Sequence, residues 1–405
     1  MMRFRKRIIL LISFLFLLIV LGLVPRLFES KPRVVKSRYS ERRRELNDDL
    51  EATLDCNSPC KPVNNILFLK THKTGSSTVT NILNRYGDTR DLTFALPSKG
   101  YSFYSYNSFI LKFAVPFWKA PNILCNHARY NKVPMNWLFP KETTRYITLL
   151  REPTQHFESI FNFFKVGRRF LATKNVSVPL ETFLRHTAFY LRQAKNITGI
   201  LKLIKNPALF ELGLDPKYQN NLAVVRNYIR FLQQEFDLVM LMEYFDESLV
   251  LLKRRFCWKI EDILYFKLNE RRGKDKQELS SKVKEQILKW NSGDALLYDV
   301  FNQTLWKMIE EEGPDFFKDL ALFRKELESI KSTCLREGKF LTALFPGLYV
   351  QGYSLKPNIS KELNNTCNKM IMNEIPFLNY LRYKMKRNFQ AIDSSVNQQN
   401  VIQQQ

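Results

Sequence analysis

A short apolar run, Asn65-Ile-Leu-Phe-Leu-Lys70, is followed within a few residues by Val79, Ile82, Leu83 and Tyr86, spaced i, i+3, i+4 and i+7. The run reads as a buried strand and the spacing as one face of a helix. The unit recurs. Arg145-Tyr-Ile-Thr-Leu-Leu150 precedes Pro153, which suits a first helical turn, and Phe157, Ile160, Phe161 and Phe164 repeat the helical spacing. Ile123-Leu-Cys125 and Leu238-Val-Met-Leu-Met242 are two further apolar runs, the second leading into Leu249, Leu252 and Phe256. Strands alternating with helices predict an α/β fold with a parallel sheet flanked by helices. From about 278 to 337 only helical periodicity remains, with Leu297, Val300, Phe301, Leu305 and Met308 on one stripe. This predicts a helical C-terminal part.

The ends of the chain differ from this body. Arg3, Arg5, Lys6 and Arg7 precede an apolar stretch from Ile8 to Phe28. At ~1.5 Å per residue it spans ~30 Å, one hydrocarbon core. A cleaved signal peptide is the alternative, but no small-residue cleavage site follows. Residues 1–7 are expected as a cytoplasmic tail, 8–28 as a transmembrane signal anchor, 29–62 as a polar stem, 63–390 as a lumenal domain and 391–405 as a loose, Gln- and Asn-rich tail. Asn175, Asn196, Asn302, Asn358 and Asn364 each open an Asn-x-Ser/Thr acceptor triplet, all beyond the apolar stretch, which favours a lumenal body. Six cysteines suit an oxidising compartment and allow 15 pairings. No Cys-x-x-Cys occurs, and no metal is expected. Lys plus Arg number 63 against 39 acidic residues, a net charge of +24. In a secretory-pathway body that charge points to anionic small molecules or lipid headgroups rather than nucleic acid.

Chemistry concentrates at the first strand-to-helix turn, Lys70-Thr-His-Lys-Thr-Gly-Ser-Ser-Thr78. Backbone N–H groups and the positive end of a helix dipole meet there, which makes an anion site. Ser76 or Ser77 is placed to cap the helix. The turn is not a Walker A loop: Lys73 precedes the sole glycine, Gly75, and no lysine follows it. It suits a phosphate-like group that needs no metal.

The segment resembles the 5′-phosphosulfate loop of Golgi sulfotransferases, and its internal His72 resembles the galactose-3-O-sulfotransferase family. Further blocks are similar to that family: Cys125-Asn-His127 with Arg129-Tyr130, Leu150-Arg-Glu-Pro153 through Phe157-Glu-Ser159, Glu243 through Lys253, Phe266-Lys-Leu-Asn269 with Arg271-Arg272, and Gly352-Tyr-Ser-Leu355. The resemblance covers about residues 63–385. It departs at Gly75, where an alanine is expected in vertebrate members, a change that would only loosen the backbone.

The resemblance implies a type II Golgi membrane enzyme of the P-loop-like sulfotransferase fold. It would use 3′-phosphoadenosine 5′-phosphosulfate (PAPS) as co-substrate and sulfate the 3-hydroxyl of a terminal β-galactose on a glycoprotein or glycolipid. Lys73, Thr74, Gly75, Ser76, Ser77 and Thr78 would hold the phosphosulfate, Arg151 and Ser159 the 3′-phosphate, and Arg271 and Arg272 would assist. His72 is the candidate general base, with Lys70 beside it and His127 as the second possibility. His156 and His186 read as structural. Asn302-Gln-Thr-Leu-Trp306 and the short loops lean toward glycan-acting members. The alternatives are a galactosylceramide sulfotransferase, a carbohydrate sulfotransferase acting on another hydroxyl, and a glycosylated lectin-like protein. Tyr101, Phe103, Tyr104, Tyr106, Phe117 and Trp118 would either stack on sugar rings or fill the core.

Overall fold

The computed structural model describes residues 60–402, apart from 104–107, 110–113, 115–118, 171–176, 194–198, 271–277, 339 and 346–347. The expected anchor, 8–28, lies outside the described residues, and among those no helix is long and apolar enough to cross a membrane.

Strand β1 (Ile66–Leu69) is completely buried and leads through the 70–75 turn into helix α1 (Ser76–Thr89). There follow β2 (Phe94–Ala95), β3 (Ile123–Leu124), α2 (Lys132–Leu138), β4 (Arg145–Leu150), α3 (Pro153–Phe163), α4 (Pro207–Glu211), α5 (Leu222–Glu235), β5 (Leu238–Leu241) and α6 (Phe245–Arg255). The five strands form one sheet in the order β2-β3-β1-β4-β5, every neighbouring pair parallel. The two strand-helix units expected around β1 and β4 are present, and Pro153 opens α3, where the Glu152 side chain accepts from the Thr154 and Gln155 amides. Because β1 lies between β3 and β4, the chain leaves it in both directions along the sheet, and a crevice opens at the carboxyl ends of these strands.

The helical stretch expected after residue 278 comprises α7 (Ser281–Trp290), α8 (Ser292–Glu311) and α9 (Asp315–Cys334). Leu297, Phe301 and Leu305 of the expected stripe are buried core. An antiparallel hairpin that the sequence reading did not anticipate follows, β6 (Phe340–Phe345) and β7 (Leu348–Gly352). Cys334 and Cys367 form a disulfide between α9 and α10 (Lys361–Ile371), while Cys125 is free and buried. Helix α11 runs Glu374–Ile402, so most of the segment expected as a loose tail continues a helix.

The C-terminal helices are clasped onto α1. Buried Asp88 of α1 pairs with Lys369 at 2.7 Å and Lys384 at 2.9 Å, and Tyr380 donates to it. Asn81, also on α1, donates to the Lys369 and Met372 carbonyls at the α10–α11 turn. These contacts bring the first residue of α11 beside the loop that precedes α1.

Candidate active site

The loop after β1 is shaped by two residues in left-handed backbone geometry, Lys73 at φ 61° and Gly75 at φ 85°. Gly75 is the N-cap of α1, a place expected of a serine, and no side chain caps the helix. The serines are used elsewhere: Ser76 Oγ donates to the Thr71 carbonyl at 2.6 Å, and Ser77 Oγ to Glu374 at 3.2 Å. The glycine does more than loosen the chain. A Cβ at position 75 would lie 2.5 Å from Met242 Sδ, and its positive φ disfavours any side chain. Thr71 ties the turn to the sheet, its Oγ1 donating to Leu149 O at 2.7 Å.

A cavity of about 330 Å³ opens over this loop. Its wall carries His72, Lys73, Gly75, Ser76, Ser77 and Thr78 from the turn and α1, His127 after β3, and Arg151 and Ser159 from the second unit. Residues from three strand ends, expected from the sequence to act together, therefore share one space. Lys70 is fully buried behind the wall, with its Nζ 3.3 Å from Ser76 Oγ, Ser77 Oγ and Glu374. Lys73 Nζ lies 3.5 Å over the Phe163 ring, a cation-π contact inside the cavity. Arg151 donates to the Lys73 carbonyl at 3.2 Å and so braces the loop it shares the cavity with. Asn269 donates to Ser77 Oγ, and the Leu268 amide to Thr78 Oγ1. Arg271 and Arg272 lie outside the described residues. Tyr101 lines the cavity, whereas Phe103 is core, edge-on to Phe109; Tyr104, Tyr106, Phe117 and Trp118 fall outside the described residues.

His72 has a partner that the sequence did not announce. Its backbone N–H donates to Glu211 Oε2 at 2.7 Å, and its Nδ1 sits 2.5 Å from Glu211 Oε1. Glu211 is fully buried at the end of α4. A carboxylate accepts, so Nδ1 carries the proton and Nε2 is the basic position of the ring. His127 stacks on His72 with ring centroids 3.8 Å apart and planes 9° from parallel, and its Nδ1 faces the Lys70 carbonyl at 3.1 Å. Burial, then the charges of His72, Lys70 and Lys73, hold its pKa well below the ordinary histidine value. His156, read as structural, is buried with Nε2 2.7 Å from the His72 carbonyl. Donor atoms of His72, His127 and Glu211 all lie within 4.8 Å of one another, a grouping that a divalent cation could use and that the expectation of no metal did not foresee.

Both missed residues, Glu211 and Glu374, come from distant segments. A signal existed for the first: a carboxylate inside Leu209-Phe-Glu-Leu212 interrupts an apolar run and demands a buried partner. Glu211 is held in turn by Asp294 of α8, which accepts from the Ala208 and Leu209 amides at the start of α4.

That support makes stability depend on pH with two opposing signs. Burial pushes the Asp294 pKa up to about 7, above its unfolded value, so its neutral form stabilises the fold at low pH and the gain is lost as pH rises through 7. Burial pushes His156 down to about 4, so its contribution is present above the unfolded histidine value and is lost as pH falls below it. Comparing wild type with Asp294→Asn isolates the first effect. The gap should move by about 2 kcal/mol in favour of wild type between pH 8 and 5.5, at about 1.4 kcal/mol per unit. Urea melts at the two pH values measure it, and a constant gap would refute the assignment.

Of the five acceptor triplets, Asn358 is exposed in a turn and Asn364 is exposed on α10, while Asn175 and Asn196 lie outside the described residues. Asn302 sits mid-helix in α8, with its side-chain oxygen buried, an unsuitable place for a glycan. In the same helix Trp306 packs edge-on against Tyr244, so the Asn302–Trp306 segment is packing and says nothing about the acceptor.

Comparison with known proteins places the chain in a family. A family model described as galactose-3-O-sulfotransferase matches residues 2–385. The chain is 34% identical to galactosylceramide sulfotransferase of Bos taurus, over 79% of this chain and 78% of that protein. It is 32% identical to human galactose-3-O-sulfotransferase 2 (78% and 82% covered) and 33% to human galactose-3-O-sulfotransferase 3 (82% and 80%). With a family match over nearly all its length and relatives at 32–34% identity, the chain belongs to the galactose-3-O-sulfotransferase family of enzymes.

Proposed function

We propose that the enzyme transfers the sulfuryl group of PAPS to the 3-hydroxyl of a terminal β-galactose. The observation that carries this reading is the Glu211-backed His72 in the same cavity as the Lys73–Thr78 loop. The backbone amides of the loop through Ser76 and Ser77, the Thr78 hydroxyl and Lys73 offer donors to a phosphosulfate at the positive end of α1. Arg151 and Ser159 take the 3′-phosphate. The galactose hydroxyl oxygen attacks sulfur, and its proton passes to His72 Nε2. The bond from sulfur to the bridging oxygen breaks, leaving 3′,5′-bisphosphoadenosine, and Lys73 offsets the charge that gathers on that oxygen. Glu211 stabilises the imidazolium as it forms. His127 is the less suited base, because burial and the nearby Lys70 and Lys73 ammonium groups oppose its protonation.

Labelled PAPS and a panel of galactosides test the reaction. Sulfate located at the 3-position of β-galactose is the expected product; sulfate on another hydroxyl, or none on any galactoside, overturns the reading. Glycolipid and glycan acceptors both belong in the panel, since the relatives of each kind match this chain equally well, at 34% and 32–33%.

Arg151 contacts the donor in ground and transition state alike. Its loss should raise the donor KM and spare kcat. A charge-assisted contact is worth about 1.5–3 kcal/mol, so Arg151→Ala should raise the donor KM by roughly 10- to 150-fold. Steady-state kinetics with varied PAPS checks this, and normal binding of 3′,5′-bisphosphoadenosine by the variant would exclude the assigned pose.

The apolar Ile8–Phe28 stretch and the acceptor triplets beyond it support a single-pass type II protein of the Golgi membrane with residues 63–390 lumenal. Glycosidase treatment of the protein from a secretory host should lower its apparent mass by more than one glycan. An unchanged mass would place the body on the other side.

A further inference from the structure

Glu374, the first residue of α11, is an acid in the wall of a cavity built to attract anions. One carboxylate oxygen is occupied: Oε2 lies 3.3 Å from Lys70 Nζ and accepts from Ser77 Oγ at 3.2 Å. The other, Oε1, is buried and has no hydrogen-bond partner among the described residues. A buried acceptor left unsatisfied is costly, and a ligand's donor would recover that cost. The donor substrate is a poor match, since its phosphosulfate presents oxygens without hydrogens and carries like charge. A neutral sugar presents several O–H donors. Across the cavity wall Tyr101 is close enough for the Glu374 charge to add to burial in raising its phenol pKa, so an aromatic ring and a carboxylate stand together, as hydroxyl recognition requires. The residue lines the cavity, and the terminal torsion of a glutamate is soft, so a small rotation of the carboxylate presents an oxygen to a ligand without movement of α11. The clasp of Asp88 and Asn81 on the C-terminal helices keeps its Cα in place.

We infer that Glu374 is a specificity-determining residue that accepts a hydrogen bond from a hydroxyl of the acceptor sugar other than the one sulfated. This rests on the reading of the reaction given above and adds to it the residue that recognises the sugar. A site built to bond a hydroxyl discriminates strongly against the sugar lacking it, because the polar group is then left unpaired.

The test uses Glu374→Gln and Glu374→Ala with methyl β-galactoside and its 2-, 4- and 6-deoxy analogues, alongside calorimetric binding of 3′,5′-bisphosphoadenosine. Both variants should raise the acceptor KM by about tenfold or more. Bisphosphate binding should be unchanged or tighter, because Lys70 loses its opposing charge. One deoxy analogue should lose about tenfold or more in kcat/KM with wild type and only a small factor with Glu374→Ala. An unchanged acceptor KM, bisphosphate binding weakened in parallel, or equal penalties for every analogue in wild type and variant would each overturn the inference. If wild type sulfates no galactoside at all, the reaction reading falls and this inference with it. A wild type active on galactosides and matched by both variants sinks the inference alone.

Discussion

His72→Ala should lower kcat by about 10²–10⁴-fold while 3′,5′-bisphosphoadenosine still binds, because the imidazole acts only as the acceptor hydroxyl gives up its proton. Glu211→Gln separates the base from its support. The amide keeps the shape beside Nδ1 but cannot stabilise an imidazolium as a carboxylate does, and it can present N–H where the ring needs an acceptor. Its kcat should fall, since the imidazolium that forms as the hydroxyl loses its proton is left without a facing carboxylate. The check is kcat against pH for both variants, with bisphosphate binding as the control for the fold. If His72→Ala retains near-normal kcat while His127→Ala loses it, the base is His127. A Glu211→Gln enzyme with normal kcat would remove Glu211 from the mechanism.

Lys73→Ala should damage both kinetic constants. Its ammonium meets the phosphosulfate in the ground state and the leaving oxygen in the transition state, so kcat should fall by about 10²–10³-fold and the donor KM should rise as well. Its left-handed backbone adds nothing to the loss in this variant, since alanine meets the same strain at φ 61° as lysine does. Lys73→Arg is the informative companion. A guanidinium keeps the charge but spreads it over a plane, and should recover donor binding better than kcat. Kinetics with varied PAPS measures both. A Lys73→Ala enzyme with normal kcat and a raised KM alone would mean that the lysine binds the donor and takes no part in bond breaking.

These assignments divide by how far apart in sequence the cooperating residues lie. The β1–loop–α1 unit was legible because strand period, turn chemistry and helix period succeed one another within 25 residues, Asn65 to Thr89. Arg151 and Ser159 were legible for the same reason, each close to a strand end. The capping role assigned to Ser76 or Ser77 failed because the positive φ at the cap position favours glycine over any side-chain acceptor. The partners of Glu211 and Glu374 were not legible, although the apolar run around Glu211 marked it as buried. The two glutamates meet His72 and Ser77 across 139 and 297 positions, and no local periodicity encodes such a meeting. The β6–β7 hairpin also escaped, since its two strands pair with each other in a separate sheet and follow three helices whose spacing dominates the pattern.

The clasp of α10 and α11 onto α1 has a consequence in time. Ser77 and Glu374 meet only when a segment synthesised nearly three hundred residues later has docked. At a synthesis rate of about 5–20 residues per second, the loop and its histidine exist for roughly 15–60 seconds before the last wall of the cavity can arrive. A chain extended only through β5 holds all five strands and the 70–75 turn and still lacks Glu374. The wall that Glu374 supplies is therefore the last part of the cavity to be added, and the pairing of Asp88 with both lysines holds it there.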